Sequence, residues 1–535
     1  MIDLEVLNKA IALTQKGYVR EAEALYLKLL FDEPENYLIL SSLGLFYVNV
    51  RDYEKASEYL QKACNIKETL GTVSALGFAE FEKREFEKSA EILERALKFG
   101  ENPDIYNKLI LSLFQIKNYK KAVEFSVKMY ELYSDNTDAI SHMVKALTQS
   151  GKLVEAEKLC VGYLREHPES ASLWFHLGFL KELIYSDDKQ ACDCYKQALE
   201  MGNKEAYYNI AVSYQKQGDY KRAEEYYYKM LENYPKDIDT LTSLGMCKLT
   251  QKKFREGYDL FFLRDKSSLD RKTNNPWGVN KKYMWEDEVV VLCDQGFGDH
   301  IQFIRYLPFL QKRVKKLYVA SHPSLTCLFA PNYSDVEFIT YDDIDPNMQS
   351  VRVTDLAYAL DIDFDNIPYS EGYLKSESAN IENKKLKVGL CWEAGNAGIR
   401  TMINRTINIK LLEPILNLEN IQLYSFQVRD TLKGNEKYAD KMINLASDFK
   451  NFKDTASAMK AMDAIISVDT SVAHLAGALG VKTFLMLPYV SDWRWFSDVK
   501  TTPWYTSVEI FKQTDSISWE KPIEDIICRL KEYSS

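Results

Sequence analysis

Long apolar runs are missing from this chain of 535 residues. No stretch approaches the roughly 18 uninterrupted apolar positions that a bilayer-spanning helix requires. The opening Met1-Ile2-Asp3-Leu4-Glu5 lacks the basic start and apolar core of a secretory leader, so a cytoplasmic location is expected. Cysteine is sparse: the nine are odd in number and scattered singly apart from Cys192 and Cys194, which gives no disulfide framework. Two thiols at i, i+2 on a helix point to different sides, so that pair is not read as a metal site. Positive charge is in the minority, 68 Lys and Arg against 78 Asp and Glu for a net −10, which argues against a nucleic-acid binder held by phosphate contacts.

Proline is scarce in one half only. Four of the 14 prolines fall in residues 1–265, at Pro34, Pro103, Pro168 and Pro235, with intervals of 69, 65 and 67. These intervals are about twice the 34-residue period of a helix-turn-helix repeat. Small residues recur at Ala22, Ala56, Ser89, Ala122, Ala156, Ala191, Ala223 and Gly257, with gaps of 32 to 35. Leu-Gly pairs recur in the preceding helices at Leu43-Gly44, Leu76-Gly77, Leu177-Gly178 and Leu244-Gly245. Small residues let the paired helices approach closely, and a single unit cannot bury its apolar face, so only the stack is stable. The pattern resembles the tetratricopeptide repeat, about eight copies over residues 1–265. The resemblance implies an α-solenoid whose groove takes an extended protein or peptide partner.

Residues 266–284 read as a polar linker. Beyond it, short β-branched runs alternate with helical segments: Val289–Cys293, Leu317–Ala320 and Val336–Ile339, then Leu386–Trp392, Ile421–Phe426, Ala464–Val468 and Thr483–Leu487. The helices are expected at Ile301–Arg313, Ile409–Leu416, Thr455–Met462 and Val472–Leu479. Such alternation argues for two doubly wound parallel sheets, in residues 285–380 and 381–535, with ligands at the carboxyl ends of the strands.

Several segments could carry chemistry. Asp469-Thr470-Ser471-Val472-Ala473-His474 follows a strand and opens a helix, which suits a phosphate or serves as an ordinary N-cap with His474 in the core. Gly296-Phe297-Gly298-Asp299 lacks the third glycine of a dinucleotide fingerprint and the Lys of a P-loop. Asp299 there is either a general base at a strand end or a turn residue capping the next helix. Arg400 or Arg405 either neutralises a diphosphate or is a solvated surface charge. The tryptophans of Asp492-Trp493-Arg494-Trp495 and Pro503-Trp504-Tyr505 read as burial first and base stacking second. Asp343-Ile344-Asp345 and Asp361-Ile362-Asp363 are read as solvated turns and not as metal ligands.

Residues 285–515 resemble the heptosyltransferase-like glycosyltransferases (glycosyltransferase family 9) in the variant fused to tetratricopeptide repeats. Three segments carry the likeness: 294–308 around Gly296-Phe297-Gly298-Asp299, then Asn404-Arg405-Thr406-Ile407, then 466–477 around Asp469-Thr470-Ser471 and His474. The resemblance implies a GT-B fold of two Rossmann-like subdomains, the first on the acceptor side and the second holding a nucleotide-sugar donor. It also implies inverting transfer, with no metal and no cofactor. Asp299 matches the base. Gly298, Arg405, Asp469, Thr470, Ser471 and His474 match the donor site, and Gln427 falls where the nucleoside is held. Family members often place a Glu near Gln427, so the base and sugar of the donor stay open. The expected activity is glycosyl transfer to a protein selected by the repeats. The alternatives are a cell-surface glycan transferase with docking repeats, or a non-catalytic scaffold; a homo-oligomer is left open.

Overall fold

The structure is a computed structural model describing residues 3–133, 137–185, 187–264, 285–363, 367–395, 405–428, 436–496, 500–515 and 518–534. The linker 266–284, Arg400 and Asn404 lie outside the described residues. The chain divides into two compact units, Met1–Ala206 and Tyr207–Ser535.

The first unit is all helical, running in antiparallel pairs from Leu4–Gln15 to Asp188–Glu200. Side chains at the N-caps fix where many of these helices begin: Asp3, Asn36, Asp52, Asn102, Asn118 and Asp187 each accept from first-turn amides. The recurrent small residues Ala22, Ala56, Ser89, Ala122, Ala156 and Ala191 are fully buried, which is why their period stands out in the sequence. The turns inside the first five pairs each contain a left-handed residue: Gly17, Arg51, Arg84, Lys117 and Gly151 have φ between 58° and 80°. Three of these five carry side chains where glycine is the unstrained choice.

The second unit opens with helices of the same kind, Tyr220–Asn233, Ile238–Thr250 and Phe254–Phe261, and continues into two sheets. The first sheet has strands β1 (Glu288–Leu292), β2 (Lys316–Ala320), β3 (Glu337–Ile339) and β4 (Gln349–Arg352) in the order β3-β2-β1-β4, all parallel. The second has β5 (Leu386–Cys391), β6 (Ile421–Ser425), β7 (Ile443–Asn444), β8 (Ala464–Val468), β9 (Thr483–Leu487), β10 (Thr501–Thr502) and β11 (Tyr505–Lys512). Its order is β10-β11-β9-β8-β5-β6-β7, parallel except for the β10 edge. Setting β10 aside, this is the doubly wound order in which the chain reverses direction between β5 and β8, leaving a crevice beyond their carboxyl ends.

Phe254, Tyr258 and Phe261 of the last repeat helix join the core of the α/β region. Their rings meet Trp493, Phe496, Trp504 and Tyr358 at 6.0–6.3 Å. Polar contacts reinforce the seam. Arg264 pairs with Asp355 at 2.7 Å, and Arg352 donates to the Phe262 carbonyl at 3.1 Å.

Strands β8 and β9 fall where the apolar runs place them, and β1, β2, β5 and β6 lie within a residue of expectation. The helix expected over 409–416 is a 3-10 turn, Ile409–Leu412, followed by Glu413–Leu416, and strands β4, β7, β10 and β11 lie outside the expected runs. The helix expected over 301–313 breaks into Phe297–Phe303, a 3-10 turn at Ile304–Tyr306, and Leu307–Gln311, because Pro308 has no amide for the Ile304 carbonyl. Strand β4 was not foreseen. It reads Gln-Ser-Val-Arg, yet all four residues are buried, with the Gln349 amide accepting from the Glu286 N–H and Arg352 paired with Asp355.

Candidate functional site

The site is built from two strand-to-helix turns that meet. One follows β1 and carries Gly296–Asp299; the other follows β8 and carries Asp469–His474. Gly298 packs directly on the imidazole of His474: a Cβ on Gly298 would stand 2.8 Å from His474 Cδ2. Only a residue without a side chain lets these helix starts touch, which explains the glycine at this position without any unusual φ.

Asp299 fulfils the capping role: its carboxylate accepts from the Gly296 N–H at 3.2 Å. It is also in a position to do chemistry. Its other oxygen accepts from Arg494, whose guanidinium also reaches Asp492 at 2.7 Å. Burial pushes the Asp299 carboxyl above the ordinary aspartate range, and Arg494 pulls it back only in part. For Asp492 the balance reverses: burial raises it, but Arg494 holds it below the usual range.

On the second turn, Thr470 is the N-cap of Ser471–Ala478, but its hydroxyl bonds Ser467 at 3.2 Å and makes no capping bond. The first-turn amides therefore have no side-chain cap among the described residues, and the end of the helix stays available to an anion. Arg405 lies beside it, its Nη1 3.6 Å from the Asp469 carboxylate and 3.4 Å from the Asp469 carbonyl. Asp469 is buried, and burial followed by Asp492 pushes its carboxyl up.

His474 takes the core role. It is buried, its ring stacks on Trp495 at 5.0 Å, Nδ1 shares a hydrogen bond with the Tyr505 hydroxyl at 3.1 Å, and Nε2 faces Asp469 at 3.8 Å. Burial, then Arg494, drives its pKa down to about 3, so it brings no positive charge to a phosphate. Gln427 is likewise engaged internally. Its Oε1 accepts from the amides of Trp392 at 3.3 Å and Glu393 at 3.0 Å, bracing the loop after β5. The structure therefore gathers Gly298, Asp299, Arg405, Asp469, Thr470, Ser471 and His474, and assigns Gln427 to the wall.

Two arginines were missed as site residues. Arg494 sits in a tryptophan-rich segment read as burial, and only the fold brings it to Asp299. Arg305 is fully buried beneath the site, donating to the carbonyls of Gln302 and Trp504 at 2.8 Å each, with its guanidinium 4.5 Å and 4.8 Å from the rings of Tyr373 and Tyr505. Its place in the 294–308 segment, which carries the family likeness, is the available signal. The Asp-x-Asp pairs serve turns and surface contacts: Asp343 accepts from the Thr340 hydroxyl at 2.6 Å, and Asp361 pairs with Arg255.

Residues 39–70 and 205–237 each match the tetratricopeptide repeat family. The helical repeats are tetratricopeptide repeats. Over 465 residues the chain is 21% identical to Protein FlbA of Caulobacter vibrioides, covering 77% of this chain and 76% of that protein. A tetratricopeptide repeat protein from Parabacteroides merdae aligns with 43% of this chain and 91% of its own, at 18% identity and a TM-score of 0.37. Yeast Tom70 aligns with 45% of this chain and 54% of its own, at 18% identity and a TM-score of 0.37. YrrB, described as a tetratricopeptide repeat protein with an unusual peptide-binding site, aligns with 33% and 92% at 19% identity and a TM-score of 0.29. No helix among the described residues is long and apolar enough to cross a membrane, and all nine cysteines are free.

Proposed function

We propose that the chain is an inverting, metal-independent glycosyltransferase of GT-B type that moves a sugar from a nucleotide-sugar donor to an acceptor hydroxyl on a protein held by its tetratricopeptide repeats. The observation that carries this reading is the meeting of a half-buried carboxylate on one strand-to-helix turn with a helix start that has no side-chain cap on the other, each at the carboxyl end of a parallel sheet. In the proposed reaction the acceptor oxygen attacks the anomeric carbon as Asp299 takes its proton. The bond from that carbon to the diphosphate breaks, and the departing charge is met by the first-turn amides of Ser471–Ala478 and by Arg405. A raised carboxyl pKa suits a base that must hold a proton transiently. His474 acts here as a neutral packing element, and Gln427 shapes the wall. A nucleotide-sugar donor accords with a cytoplasmic location.

The test is a panel of UDP-, GDP- and ADP-linked sugars assayed by thermal shift in EDTA. A ligand at about 100 times its dissociation constant contributes roughly 2.7 kcal/mol. One class is expected to stabilise the wild type and Asp299→Asn alike, while Asp299→Asn loses roughly 10²–10⁴-fold in sugar transfer or slow donor hydrolysis. Stabilisation that requires Mn²⁺, or none across the panel, overturns the reading.

A further inference from the structure

Arg494 lies between carboxylates from two different elements, Asp299 and Asp492, and its side chain is 12% exposed. Its guanidinium stands 4.6 Å from the centre of the Trp493 ring and 5.7 Å from that of Phe303. The backbone beneath it is held as firmly as the side chain. Trp504 Nε1 donates to the Arg494 carbonyl at 2.7 Å, and the Asp492 carboxylate accepts from the Arg494 N–H at 3.1 Å. Two residues on, Phe496 has φ 56° and ψ 175°, a region nearly reserved for glycine that costs about 1–3 kcal/mol and persists only where the surroundings impose it. Those surroundings include the last repeat: Tyr258 and Phe261 pack on Trp493 at 6.0 Å each, and Phe254 on Phe496 at 6.3 Å. An ordinary surface ion pair needs neither a strained backbone nor an aromatic seat.

We propose that Arg494 is the positioning residue of Asp299: its guanidinium fixes the direction of that carboxylate and supplies the positive charge that offsets its burial, while the last tetratricopeptide helix fixes Arg494. The charged groups acting on Asp299 are Arg494, Asp492 and, from the end of the last repeat, Arg264; Asp469 and the neutral His474 stand on the neighbouring turn, with Arg405 beside it. Among the described residues, Arg494 is the cation in contact with it. Without that contact, burial and Asp492 act together and the carboxyl holds its proton to higher pH.

The activity arm of the test rests on the glycosyltransferase reading; a second arm does not. Asp299 is 20% exposed and open to a carbodiimide, which reacts with the protonated carboxyl. Labelling with carbodiimide and glycinamide across pH, read by mass spectrometry on the peptide containing Asp299, reports its ionisation with no ligand present. In Arg494→Gln, labelling is expected to persist about 1 pH unit or more above the wild type, and in Arg494→Lys to return towards it. Should Arg494→Gln not fold, Arg494→Met keeps the apolar stem on Trp493 and serves in its place. An unmoved labelling profile overturns the proposal. Where a nucleotide sugar from the panel is hydrolysed, the acidic limb of hydrolysis should rise with the labelling while stabilisation by that nucleotide sugar stays. Loss of stabilisation with an unmoved limb would assign Arg494 to the diphosphate and also overturn it. A panel that stabilises nothing sinks the glycosyltransferase reading and leaves the labelling result to decide on Arg494.

Discussion

Replacing Gly298 by Ala tests whether the two helix starts touch, independently of any activity. The added Cβ would lie 2.8 Å from His474 Cδ2, where ordinary contact is 3.4–4 Å, so ring or helix must yield by more than half an ångström. The ring has little room to move, being stacked on Trp495 at 5.0 Å and tied to Tyr505 at 3.1 Å. Overpacking of this kind costs about 1–3 kcal/mol. Gly296→Ala is the matched control. Its φ is −69° and the nearest atom to its Cβ is Asp299 Oδ2 at 3.5 Å, so no clash opposes the change and its cost should stay at the Gly-to-Ala difference of an N-cap, about 1 kcal/mol or less. Denaturant unfolding followed by the tryptophans of the second unit, Trp392, Trp493, Trp495 and Trp504 among them, reads both. Combining Gly298→Ala with His474→Ala should relieve the clash, giving a double-mutant coupling of 1 kcal/mol or more. A Gly298→Ala protein as stable as its control, or strict additivity with His474→Ala, would refute the contact.

Two further outcomes are expected. Burial holds His300 and His474 neutral, with pKa values lowered to about 4 and about 3, whereas an unfolded imidazole titrates near 6.5. The folded state therefore binds fewer protons, and the stability these residues contribute is complete above about pH 6.5. It falls on acidification by about 1.4 kcal/mol per pH unit for each imidazole until the folded pKa is reached. Unfolding measured between pH 7 and pH 5 should show a shallower slope in His300→Gln, and an unchanged slope would count against its burial. In the repeats, Arg84 is exposed with φ 67°, so Arg84→Gly should raise the stability of the first unit by up to about 1 kcal/mol and Arg84→Val should lower it. Equal midpoints for the two variants would contradict the left-handed turn.

The repeats were legible because each period places a small, fully buried residue, Ala56 and Ala122 among them, where two helices must approach. Strands such as Ala464–Val468 were legible because a parallel strand buried on both faces is apolar at every position. Strand β4 was not, since Gln349 and Arg352 are buried by virtue of partners far along the chain, Glu286 and Phe262 among them. The site divides in the same way. Asp299 and the 469–474 turn announce themselves by local pattern, glycine and hydroxyl residues after an apolar strand. Arg494 joins Asp299 across 195 positions of sequence, and no local period records that distance. His474 marks the limit of local pattern: its place at a helix start suits either an anion ligand or a core residue, and only the fold shows Trp495 and Tyr505 packed against it.

The last tetratricopeptide helix has a bearing on how this array can change over generations. Repeat proteins gain and lose units by duplication and deletion, and each event leaves neighbouring interfaces equivalent. Phe254, Tyr258 and Phe261 break that equivalence, because their rings meet Trp493, Phe496 and Trp504 instead of another repeat. A duplicated copy inserted after them would present repeat-type surface to partners shaped for these rings, and a deletion would strip them bare. Variation in array length is thus confined to the amino-terminal side, upstream of the pairs that belong to the second unit. A recombination junction near residue 206 should leave the second unit folded in chimaeras with foreign arrays, whereas one near 265, despite following the visible end of the repeats, should not.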